Sequence, residues 1–112
     1  MKTIATLIVV AAVGCGSAAI PTAKMTDAKS EIKAADAVGA ENVPQAALHL
    51  KLARDEVKRA EALLKQGDEE EADLMLDRAR IDAELAMTLS RGADERARAT
   101  EATRQVEALS HD

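Results

Sequence analysis

Two apolar stripes at heptad spacing stand on either side of a very short connection, and that arrangement leaves the chain few folds to choose from. The first stripe is Ala46, Leu50, Ala53, Val57, Ala60 and Leu64, with spacings that alternate four and three. The second is Ala72, Leu76, Ala79, Ala83 and Ala86. A repeat of this kind keeps one side of a helix against a partner helix. Leu48, Leu52 and Leu63 widen the first stripe, and Leu74, Ile81, Leu85 and Leu89 widen the second. Between them lies Gln66-Gly67-Asp68. Gly67 accepts the left-handed conformation that ends a helix, and Asp68 is a good cap for the next one. Glu69, Glu70 and Glu71 then fall in a first turn, where the helix dipole favours negative charge. Helices joined this closely pack antiparallel, as an αα-hairpin.

The remaining boundaries follow from similar signals. Pro21-Thr22 opens a shorter helix whose apolar face is Met25, Ala28, Ile32 and Ala35, and Gly39 stops it. Asn42-Val43-Pro44-Gln45 resembles a capping box, with Asn42 as cap and Gln45 reaching back. Beyond Ser90, a weaker three-four pattern continues through Ala99, Ala102, Val106 and Leu109. The expected fold is all-α: a short N-terminal helix plus a long antiparallel hairpin, together a small helical bundle. The helices are expected over about 22–38, 43–66 and 68–110, the last continuous or bent near Gly92.

Composition supports long, closely packed helices over a bulky core. Alanine dominates and Phe, Tyr and Trp are absent. Alanine is the best helix former, yet it buries little apolar surface. The net charge is −5, with both signs interspersed as on a solvated helical surface. Nucleic acid is a poor candidate partner, because no basic patch meets phosphates and no ring stacks on a base.

The first residues read as an address. Lys2 is followed by an apolar run from Ile4 to Val13. Spanning a bilayer takes about twenty such residues, so the run fits a signal-peptide core. It ends in Ala12-Val13-Gly14-Cys15, which resembles a bacterial lipobox. That resemblance implies cleavage between Gly14 and Cys15 and acylation of Cys15. The organisation expected is then a signal peptide at 1–14, a lipid-anchored tether at 15–21 and a helical domain at 22–112. Gly16 stands where an Asp would resemble an inner-membrane retention signal. By resemblance to the sorting signals of diderm bacteria, the lack of Asp there implies the outer membrane, inner leaflet, facing the periplasm.

Two further resemblances attach to these residues. The segment from Ala62 to Ala72, with Ala79 beyond it, is similar to the turn between the helices of a tetratricopeptide repeat, without that repeat's aromatic positions. More of the chain is similar to a bacterial family of Ala-rich helical lipoproteins, domain of unknown function 4398. The matching features are the lipobox, a helix led by Pro44 with Leu48, the Gly67-Asp68 turn and Asp82-Ala83-Glu84-Leu85-Ala86. The family brings no activity, cofactor or catalytic residue to carry over.

The remaining chemistry is sparse. His49 and His111 are the only histidines; His49 has only Asp55 and Glu56 near it on its own helix, and it reads as a solvent-facing or rim residue. Asp68 to Glu71 and Asp73 lack the alternating oxygen ligands of a calcium loop. No nucleophile sits beside a base, so an enzyme is not expected, and no cofactor beyond the acyl lipid on Cys15. The expected function is a structural or adaptor lipoprotein acting through helix–helix contacts, with an envelope protein or itself as partner. Val106 and Leu109 are the candidate partner-surface residues. The alternatives are a tetratricopeptide-like module for an envelope peptide or glycan, and a coiled-coil oligomer like the murein lipoprotein. The breaks at Gly39 and Gly67 favour a folded-back chain over the latter.

Overall fold

In a computed structural model, the structure describes residues 19–111, and the expected signal peptide with Gly14 and Cys15 lies outside the described residues. Three α-helices make up the fold: α1 (Ala19–Ala37), α2 (Pro44–Gln66) and α3 (Glu69–Ser110). A single 3₁₀ turn, Ala40–Asn42, joins α1 to α2. Among the described residues there is no strand.

α1 starts earlier than its apolar pattern suggested, so Pro21 falls in the first turn, where its missing N–H costs nothing. It ends at Gly39, whose φ of 74° is the left-handed conformation that side-chain-bearing residues avoid. The start of α2 differs from the capping box expected at Asn42. Val43 occupies the cap position, with φ −111° and ψ 113°, and no side chain caps this end. Pro44 is the physical reason. Its ring pushes the preceding residue into the extended region, so the boundary falls at Val43. Asn42 is drawn into the 3₁₀ turn instead, behind the buried Ala40.

The α2–α3 connection is a Schellman turn. The amide of Gly67 donates to the Leu64 carbonyl at 3.1 Å, and that of Asp68 donates to the Leu63 carbonyl at 3.0 Å. The Asp68 side chain then accepts from the Glu71 amide at 3.4 Å, capping α3. With only Gly67 and Asp68 between them, α2 and α3 run antiparallel along their shared length.

α1 covers one flank of this hairpin, parallel to α3 and antiparallel to α2. Lys24 near its start bridges Asp73 and Asp77 at 2.6 and 2.9 Å. Near its end, Asp36 meets Arg54 at 2.5 Å. Two apolar clusters fill the seam. One, near the turn, is built on Val57, Leu63 and Leu76 with Ala28, Ala60, Ala72 and Ala79. The other is built on Leu50 with Ala35, Ala40, Ala46 and Ala86. Alanine at most seam positions lets the helix axes approach closely, which recovers by dispersion contacts part of what the small side chains forgo in buried area.

The flanking leucines divide unevenly. Leu63 is buried and Leu64 is only half-buried, the reverse of their order in the stripe. Leu48, Leu52, Leu74, Ile81 and Leu85 do not widen the core; all are exposed. The α1 helix occupies only one flank, so apolar residues on the other flank and on the outside have nothing over them. No helix among the described residues is long and apolar enough to cross a membrane.

Candidate functional site

α3 outlasts the bundle that holds it. Its buried side ends at Ser90, whose hydroxyl donates to the Val38 carbonyl at 2.7 Å and so closes the α1–α3 contact. Gly92 and Ala93 are half-buried, and from Asp94 to His111 every residue is exposed. The helix nevertheless continues without a break through Gly92 to Ser110. Val106 is 66 % exposed and Leu109 77 %. The hydroxyls of Thr100 and Thr103 bond back to carbonyls one turn earlier, and Gln105 bonds to Glu101. The extension is thus held by its own local bonds and the propensity of Ala, Arg, Glu and Gln. It presents its side chains to solvent over roughly 25 Å, at 1.5 Å rise per residue.

A polar cluster lies in the hairpin on the flank that α1 leaves open. His49 Nδ1 of α2 is 2.7 Å from Asp82 Oδ1 of α3. Both side chains are half-buried, so His49 sits at the rim of the hairpin with a partner on α3 that its own helix does not supply. One helical heptad on from His49 stands Glu56, with its Oε2 buried and without a hydrogen-bond partner. Burial, then the charge of Asp82, pushes its carboxyl up to about 7. The Arg78 charge opposes this shift. The other buried carboxylate oxygen without a partner, Asp73 Oδ1, belongs to the residue that Lys24 holds.

Among the described residues, neither His49 nor Asp82 is hydrogen-bonded to a hydroxyl or a thiol. Beside the pair is an open hollow lined by Gln45, Leu48, His49, Leu85 and Leu89. A second shallow groove, between α1 and α2, has Ile32 and Val57 at its base and Lys29, Lys33, Arg54 and Lys58 at its rim. Lys29 and Arg54 are already committed, to Glu61 at 2.7 Å and to Asp36 and Glu41. Among the described residues no group of three or more His, Cys, Asp or Glu side chains is placed to hold a metal ion.

The sequence pattern marked the tail and the turn. It did not reveal that His49, Asp82 and Glu56 come together, because their partners lie on different helices. Ser90 was also missed, although it falls four residues after Ala86 and therefore continues the buried stripe.

The comparisons with known proteins narrow the context. A family model described as Domain of unknown function (DUF4398) matches residues 23–107. No curated protein and no solved structure matches the chain.

Proposed function

The chain belongs to the DUF4398 family, and we propose that it is a non-catalytic structural or adaptor lipoprotein of the bacterial envelope. On this reading Cys15 carries the acyl anchor, the outer membrane holds it on the periplasmic side, and the helical domain works by contact with other helices. The observation that carries the proposal is the length of α3. Its 42 residues outrun the 23 of α2, and the excess is a fully formed, solvent-exposed helix. A helix end with nothing to bury against usually frays, so one that persists suits a surface kept for a partner. The small alanine seam and the absence of a nucleophile beside a base favour contact over turnover.

The tetratricopeptide-like reading is weaker. The α1–α2 groove is shallow, two of its rim cations are already paired, and the chain has no aromatic anchor.

The test is crosslinking in cells from Val106 and Leu109, with the full chain and with a chain ending at Ser90. The shortened chain should fold, take fatty-acid label at Cys15, and lose the captured products. If it captures the same products as the full chain, the extension is not the interface. If Cys15→Ser still takes label, the anchor assignment fails.

A further inference from the structure

α3 carries two apolar stripes. The inner one, from Ala72 to Ser90, is buried in the bundle. A second runs two residues further along each time, from Leu74 through Ile81, Leu85 and Ala99 to Val106 and Leu109. An offset of two residues is about 200° of helix, so the second stripe lies largely on the side of α3 turned from α2, with Arg78 and Leu85 at the edge that borders Glu56 and His49. Its spacings alternate four and three without a break from Leu74 to Leu109, and its only charges are Arg78 and Glu95. Leu74 is 55 % exposed and Ile81 57 %. A 3.5-residue period held over five heptads stays on one line only when two long helices supercoil, so the seam is patterned for another helix of similar length.

The flanking charges say which helix. A parallel pair of α3 helices in register would set Asp77 against Asp82 of the partner subunit and Arg91 against Arg96 of the partner subunit. Both are like-charge contacts. Turned antiparallel about an axis between Ala86 and Met87, the same flanks set Asp77, which also holds Lys24, against Arg98 of the partner subunit and Glu84, which also meets Arg80, against Arg91 of the partner subunit. Symmetry repeats each pair. The seam is complementary in the same register. Leu74 faces Ala99, Ile81 faces Gly92 and Leu85 faces Thr88, so each apolar layer sets a large residue against a small one. The one charged layer sets Arg78 against Glu95. Within their own chain, among the described residues, Arg91, Glu95 and Arg98 make no side-chain hydrogen bond or ion pair. Gly92, though half-buried, has room for a neighbouring side chain. A Cβ placed there would meet only the end of Arg96, at 3.8 Å.

We propose that the outer seam of α3 is the interface of an antiparallel dimer of this chain, with large and small residues interlocked and Glu84–Arg91 and Asp77–Arg98 pairs along its edges. The inference rests on the contact function proposed above and names its partner as a second copy. Leu74 to Ala99 forms about 40 Å of paired helix. Val106 and Leu109 extend past it to the partner's Gly67 turn. The two α1 starts, with their anchors, then stand at opposite ends, so the dimer lies along the membrane surface.

The full chain in detergent solution is measured by sedimentation equilibrium, with R91E, E84R and the double variant E84R/R91E. Glu84 and Arg91 are exposed, so all are expected to fold, which circular dichroism checks. The wild type should be a dimer. Each single variant replaces two attractive contacts with two repulsive ones and should weaken dimerisation about tenfold. The double variant should restore it. A monomeric wild type overturns the proposal. So does a dimer strengthened by R91E, which means parallel helices, or a double variant as weak as the singles. A monomer that still takes fatty acid at Cys15 sinks the dimer alone. A dimer without label at Cys15 sinks the anchor alone.

Discussion

Ser90 Oγ sits 2.7 Å from the carbonyl oxygen of Val38, and this one bond marks where the bundle ends and the free helix begins. Ser90 is the only buried polar residue of the described core, and it follows Ala86 on the inner stripe of α3. The Val38 carbonyl comes just after the end of α1, where orphan acceptors need partners.

Ser90→Ala should therefore cost about 1–2 kcal/mol, because it leaves that partly buried carbonyl without its partner. Thr88→Ala, two residues earlier on an exposed face, should change stability by less than about 0.5 kcal/mol. Urea unfolding followed at 222 nm compares them. Equal losses would mean that the Ser90 contact does not form in solution.

Leu76 and Leu74 give a sharper contrast within one helical turn. Leu76 is buried against Ala60, Ala72 and Ala79, while Leu74 is on the outside. Leu76→Ala should cost about 2–4 kcal/mol through lost burial and the cavity left behind. Leu74→Ala should leave the fold of one chain nearly unchanged. If the two variants unfold at the same urea concentration, α3 does not use its Ala72–Ser90 side as the core.

That pair also shows what the sequence made legible and what it did not. Spacing alone identified the inner stripe, because a 3.5-residue period has no other economical explanation. The hairpin followed from Gly67 and Asp68, whose conformational preferences are local. The fate of Leu74, Ile81 and Leu85 was not local. It depended on which flank α1 covers, and that is decided by contacts such as Lys24 with Asp73, far apart in sequence. The same limit hid the His49–Asp82 pair, whose members lie on different helices. At Asn42 the error was of another kind. Two local signals competed, and the restriction Pro44 places on Val43 outweighed the capping preference of Asn42.

Gly67 and Gly92 should respond in opposite directions to the same substitution. At Gly67, φ is 81° and no atom approaches within 4 Å of an added Cβ, so Gly67→Ala meets backbone strain and no clash. The left-handed conformation should cost about 1 kcal/mol. Gly92 lies inside α3 with ordinary helical geometry, so Gly92→Ala should stabilise the helix by up to about 1 kcal/mol. Thermal unfolding of both variants at low protein concentration reads the sign. A Gly67→Ala variant as stable as wild type would mean that the turn relaxes to another geometry.

Glu56 is held protonated in the folded chain to about pH 7, chiefly by burial of its carboxyl and next by the nearby Asp82 carboxylate, against a reference value of 4.5. Unfolding exposes the group to water and restores ordinary acidity. Between those two values the folded chain binds a proton that the unfolded chain does not. The stability from this group is therefore complete below about pH 4.5 and is lost as pH rises through about 7. Glu56→Gln keeps the shape and removes the titration. The variant should be more stable than wild type at about pH 8, by on the order of 1 kcal/mol once solvent screening of this partly exposed site is allowed for. Near pH 4.5 the two should converge. All other titrating groups are common to both chains, so the difference between their urea midpoints across this range reads Glu56 together with its interaction with Asp82. A constant difference at every pH would show that the Glu56 carboxyl titrates normally in the folded chain.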